Sequence, residues 1–206
     1  MTPPTVSAML TLIFVIGATA AVPQKALAID ARDRTIISGV RVGAITKNST
    51  KAQLAHIYGA RNVRATKVPV GEGETVDGLV LFKGRAAELQ IRFKRGTRRV
   101  ELVVIEKRGS PWHTRNGIRI GASAVRLARL NGGRFRLHGF DWDYAGRSAG
   151  WGRGRLSKSL TVDFAPTRKL PDRERMKVVS DAKFWSSHPV MRRLRLVVHR
   201  ILVEIK

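Results

Sequence analysis

The chain has 206 residues, 43% of them hydrophobic, no cysteine, and a formal charge of +24 from 39 Lys and Arg against 15 Asp and Glu. That apolar content excludes a disordered chain, and the length suits one ordinary domain or two small units sharing a core. Without thiols there can be no disulfide and no cysteine-held metal, so the core alone must hold the fold. The sign of the charge favours anionic partners through long-range Coulomb attraction: phospholipid headgroups, lipopolysaccharide, acidic proteins or nucleic acid. Arg outnumbers Lys 27 to 12, a bias that serves bidentate recognition of phosphate or carboxylate and that a GC-rich genome would also produce.

Ala8 to Val22 is an uncharged apolar run of 15 residues, followed by Pro23 and then Lys25-Ala26-Leu27-Ala28. It is short for a bilayer span of about 20 residues and ends in a small-x-small pattern, so it predicts a signal peptide over residues 1–28, cleaved near Ala28. The implied location is periplasmic or extracellular, with an uncleaved buried helix as the alternative. The opening MTPPTVS lacks the Lys or Arg with which such leaders normally begin. Lys25 is the leader's single charged side chain, so nearly all the charge stays on the mature part, and no later stretch reaches transmembrane length. Export would separate the protein from most nucleic acid and leave an anionic envelope component or a protein as the expected partner.

The mature part divides into two candidate units, 29–109 and 110–206. In the first, GVRVG at 39–43 is extended, and Ile45 to Gly59 predicts a short helix with Thr50 as cap and Gly59 as stop. Strands are expected at Ala65–Val70, Gly78–Phe82, Glu88–Phe93 and Val100–Glu106. In the third of these, Leu89, Ile91 and Phe93 alternate with Gln90, Arg92 and Lys94, the mark of a sheet with one wet face.

The second unit echoes the first at an offset of 73 residues. PWHT at 111–114 is extended, and Ile118 to Gly132 predicts a helix capped by Ser123, with Leu127 and Leu130 matching Leu54 and Ile57 on its core face. Strands are expected at Arg134–Trp142, Ala149–Trp151, Ser159–Phe164 and Val198–Ile205, with Leu160, Val162 and Phe164 alternating against Thr161 and Asp163. Residues 168–189, charged and turn-rich, form an insertion that Phe184 and Trp185 pin to the body. The fold class is α+β: two tandem helix-plus-antiparallel-sheet repeats.

Two such units at this spacing resemble the tandem-repeat β-lactamase inhibitor protein architecture and, unit by unit, related outer-membrane assembly lipoprotein domains. The phrases ITKNST…L…YG…NV, GEGE and LNG…F.L.GF.WDY.G are similar to those of an uncharacterised secreted or periplasmic bacterial protein family. The resemblance implies a concave sheet surface for a protein partner, while the high positive charge departs from that inhibitor role.

The stretch Gly139–Gly154, GFDWDYAGRSAGWGRG, interleaves aromatics, carboxylates and arginines with glycines. Trp142, Tyr144 and Trp151 are candidates for an anchoring patch with Arg147 and Arg153 taking an anionic group, since aromatic and Arg side chains dominate binding hot spots. The alternative is that the tryptophans cover the sheet's apolar face and the glycines make turns. Asp141 and Asp143, expected on one face of a strand, offer a carboxylate pair for acid/base work, though two are too few for calcium. His56, His113, His138, His188 and His199 are scattered without a zinc pattern, and GEGET at 71–75 lacks the spacing and Lys of a phosphate loop. No cofactor or metal is implied. Arg98 and Arg99, with Arg193 and Arg195 expected on one face of a strand, are candidate anion contacts. The residues favour a non-catalytic binding protein, with a small envelope hydrolase or a non-specific coat on anionic lipid or glycan as alternatives.

Overall fold

Two hydroxyl caps start the main helices. Thr50 Oγ1 accepts from the Gln53 N–H at 3.2 Å, and the Gln53 side chain accepts from the Thr50 N–H at 2.9 Å, a reciprocal box that opens α1 (Lys51–Tyr58). Ser123 accepts from the Arg126 N–H at 3.2 Å and opens α2 (Ala124–Asn131). The two helices sit at the expected offset, with Leu54 and Leu127 fully buried and Ile57 and Leu130 packed partly against the core. Both end on a glycine of positive φ, but only Gly132 is left-handed helical; Gly59, at ψ 134°, leads into a 3-10 turn over Ala60–Asn62 before β4.

The computed structural model describes residues 30–71 and 73–206. The expected signal peptide lies outside them. Among the described residues the strands form three sheets. A small one joins β1 (Thr35–Ile37), β2 (Arg41–Val42), β3 (Ile45–Thr46) and β8 (His113–Thr114), with β1 and β8 parallel. The main sheet is antiparallel. A meander of β4 (Val63–Gly71), β5 (Glu74–Leu81), β6 (Leu89–Phe93) and β7 (Val100–Ile105) is extended by β12 (Leu196–Glu204) and then β10 (Leu160–Pro166). The third sheet pairs β9 (Arg136–His138) with β11 (Lys183–Trp185).

The fold is therefore α+β, and the strands of the second half are dispersed: β10 and β12 join the first half's sheet while β9 pairs with the insertion. Two expected strands are revised. The one expected over 134–142 stops at His138, because Asp141 at φ 64° and Tyr144 at φ 63° take the backbone out of the extended region. Ala149–Trp151 is irregular, with Ser148 making only an isolated bridge to Leu137. The segment expected as an insertion folds into α3 (Asp172–Arg175), a 3-10 turn at Met176–Val178, β11, and the start of α4 (Pro189–Arg193). Phe184 packs on the core, and the guanidinium groups of Arg134 and Arg136 stand 4.2 and 4.5 Å from the centre of the Trp185 ring.

One face of the main sheet is dry. Ile91, Val103, Ile105, Val162, Ile201 and Val203 are fully buried there and join one cluster with Leu54 of α1, Leu127 of α2, Trp112 and Phe135. Trp112 Nε1 donates to the Ala87 carbonyl at 2.9 Å, so the ring carries no unpaired donor into the core. Among the described residues no helix is long and apolar enough to cross a membrane.

Near the start of the described chain, Asp33 accepts from the Thr35 N–H at 2.8 Å and from Arg41 at 2.5 Å, tying β1 to β2. Burial raises the Asp33 carboxyl, but the bonds from Thr35 and Arg41 outweigh it and hold the pKa at about 2, against an ordinary 3.8. A depressed carboxyl stabilises the fold fully above its unfolded pKa, and that contribution disappears as the pH falls through about 2. Asp33→Asn should cost about 1 kcal/mol at neutral pH, a figure discounted for solvent screening. In urea melts the difference should close as the pH approaches 2. Ile201→Ala, in the fully buried middle of β12, should cost about 3 kcal/mol in the same melts.

Candidate functional site

The glycine-rich stretch forms a loop clamped from both sides. Gly139 N donates to the Ala182 carbonyl at 3.0 Å and Phe140 N to Val178 at 2.9 Å, while Phe164 N of β10 donates to Gly146 at 2.9 Å. Asp141 pairs with Arg175 of α3. A Cβ on Gly146, whose φ is 67°, would collide with the Phe164 carbonyl, so this turn admits only glycine at that distance from β10. The insertion thus holds one side of the loop and the sheet the other.

The loop parts the residues expected to act together. Trp142 and Tyr144 are 62% and 61% exposed. Trp151, expected in the same patch, is instead 4% exposed, edge-on to Phe135 at 5.0 Å with its Nε1 donating to the Leu160 carbonyl at 2.8 Å. It is a core residue because its indole fills the space over β10 and finds its hydrogen-bond partner there. Arg153 is exposed on the following turn. Arg147 is committed to Asp163 by two parallel bonds of 2.7 and 2.9 Å, and those bonds, against the effect of burial, push its pKa further up. Asp141 and Asp143 lie on a turn and not on a strand, and Asp141 already has its cation.

The basic clusters also change place. Arg193 and Arg195 do not share a strand: Arg193 ends α4 and pairs with Glu174, while Arg195, at φ 51°, sits between α4 and β12. The helix wins there because Pro189 suits a first helical turn and His188 Nδ1 accepts from the Val190 N–H at 3.3 Å. Arg98 and Arg99 are exposed on the turn between β6 and β7.

The open face of the main sheet builds a groove of about 690 Å³. Its floor is Gln90 and Arg92 of β6, Leu102 and Val104 of β7, and Arg200 and Leu202 of β12; Val68, Pro69 and Val70 of β4 bound it together with Asp143, Tyr144 and Arg147 of the loop. Strands near both edges of the sheet reach one cavity because the sheet curls. Gly78 permits that on the β4–β5 side, where a Cβ would strike both the Ile91 carbonyl and the Val68 side chain.

A row of charges crosses the groove: Glu106, Arg200, Asp163 and Arg147. Arg200 donates to Glu106 at 3.0 Å and lies 3.5 Å from Asp163, whose residue is only 4% exposed. Arg92 donates to Glu101 at 3.1 Å. The groove arginines are thus neutralised internally, which leaves its character mixed and amphipathic. Burial lowers the pKa of neighbouring His199 more than the Asp163 charge raises it. Asp143 is exposed and enters no ion pair among the described residues. No described group of three His, Cys, Asp or Glu side chains is placed to hold a metal.

Tyr144 and Arg147 stand out in the sequence by composition, and Gln90 and Arg92 by alternation. Asp163 stood out only as an expected wet-face residue, and it is buried; nothing singled out Arg200 within its expected strand. Removing the shared carboxylate with Asp163→Ala should leave Arg147 without its partner, while Arg200 keeps Glu106, and should cost about 3 kcal/mol. Amide exchange at Arg147 and Ser148 should accelerate ahead of global unfolding. A search of protein-family models, curated proteins and solved structures returned no match to this chain.

Proposed function

We propose that this is a non-catalytic binding protein, exported by its apolar leader, that holds a protein partner in the concave groove of the main sheet. The observation that carries the reading is Tyr144: a large side chain, 61% exposed on the groove wall, on a backbone at φ 63° that costs a non-glycine residue about 1 kcal/mol. Local strain of this kind persists where the surroundings impose it, and it gathers at binding sites. The groove floor of Leu102, Val104 and Leu202 offers apolar contact, and its paired guanidinium groups offer hydrogen bonds without a net call for an anion.

A hydrolase is less well supported. Asp141 is bound to Arg175, and the carboxylates over the groove, Asp143 apart, serve arginines, so no acid and base converge. The repeated capped helix at an offset of 73 supports two related units that have come to share one sheet. The resemblance to the tandem inhibitor architecture points to the same concave surface.

Affinity capture from envelope extract with residues 29–206, at about 0.15 M and about 0.5 M salt, tests the reading. A discrete protein should be retained at the higher salt. Tyr144→Gly, which relieves the strain, should lose that protein without lowering the unfolding midpoint. Retention by the variant, or release of everything at high salt, would end this proposal.

A further inference from the structure

We infer that a second groove, between α2 and the segment leading into α4, seats the phosphate headgroup and adjoining acyl segment of an anionic phospholipid at a bilayer surface. The groove encloses about 430 Å³ over a floor that includes Val125, Ala128 and Gly133, with Arg129, Arg134 and Arg192 around it and no carboxylate in its lining. Here the electrostatics are the reverse of the sheet groove: none of these three arginines is held in an ion pair among the described residues. Three cations facing one cavity repel each other unless an anion joins them.

The apolar half of the argument is independent. Val125, 53% exposed, and the half-buried Ala128 stand one turn apart on α2, so the side of the helix that lines the groove sets apolar atoms beside the arginines. Gly133 leaves the floor open, since a Cβ placed there would meet nothing within 4 Å. The Arg134 guanidinium carbon stands 4.2 Å from the centre of the Trp185 ring, a cation–π contact that anchors this arginine at the groove. An apolar floor beneath unpaired arginines complements a hydrocarbon chain that ends in a phosphate. Bilayer-bound lipid is the one occupant that supplies both parts together with a negative surface.

The test is binding of residues 29–206 to vesicles of phosphatidylglycerol in phosphatidylcholine, with pure phosphatidylcholine vesicles and inorganic phosphate as further probes. Arg129→Gln, Arg134→Gln and Arg192→Gln should each weaken binding to the anionic vesicles about fivefold. Gly133→Gln and Val125→Ser, which change no charge, should weaken it by a similar factor. Arg98→Gln, which removes the same charge from an exposed turn, should have clearly less effect. Equal losses at Arg98 and the groove arginines, with Gly133→Gln binding as the parent does, would mean attraction by total charge and would overturn the inference. So would competition by inorganic phosphate as complete as that by lipid, or displacement of the protein from vesicles by an acidic peptide acting at the same arginines. Unchanged melting curves for the Gly133 and Val125 variants keep the reading separate from stability. The protein-partner proposal for the sheet groove stands or falls independently.

Discussion

The pairing of β12 on both edges is the constraint on which the rest of the structure depends. This strand is hydrogen-bonded to β7 from the first half and to β10 from the second, so it converts a four-strand meander into one continuous sheet. It also reaches outside that sheet: Val198 N donates to the Ala122 carbonyl at 2.9 Å before α2, and Gly39 N donates to the Glu204 carbonyl at 3.1 Å. Its inward residues Val198, Ile201 and Val203 are buried, and its outward Arg200 and Leu202 form part of the groove floor. A single nine-residue strand therefore supplies core, connection between halves and functional surface. Such long-range pairing makes closure of the sheet entropically expensive, since loop entropy is lost before the contacts form.

The charge is handled differently in two places. In the sheet groove a buried carboxylate, Asp163, sits between Arg147 and Arg200, and a buried ion is tolerated only with such partners. That arrangement also fixes the loop bearing Tyr144 to β10 and sets its place on the groove wall. Around the α2–α4 groove the arginines meet no carboxylate among the described residues. With 15 acidic residues for 39 basic ones the chain cannot neutralise every site.

Local signals in the sequence proved readable where the physics is local. Thr50 and Ser123 cap their helices because a hydroxyl one residue before the first turn satisfies a free N–H whatever lies beyond. The alternation placed Leu89 and Ile91 of β6 and Leu160, Val162 and Phe164 of β10 in the core, but Asp163, expected on the wet face, is buried beneath the guanidinium groups of Arg147 and Arg200. Where two local tendencies competed, neighbours decided: Arg193 could have continued an extended run into Leu196, but His188 and Pro189 nucleate a helical turn first. In the same way Trp151 and Trp142 look alike in one glycine-rich stretch, yet only one has a cavity over β10 to fill.

By itself the sequence determined the α+β class, the two capped helices, the core-facing residues of β6 and β10, the absence of disulfides and the excess of positive charge, because each depends on composition or on neighbours a few residues apart. Tertiary structure alone decided that β10 and β12 would complete the first half's sheet, that the insertion would pair with β9, and that Tyr144 and Arg147 would meet Val68 and Arg200 across one groove. Those outcomes turn on contacts between residues distant in the chain, and on which carboxylate reaches which arginine. A pattern of two or four residues carries no information about such distances.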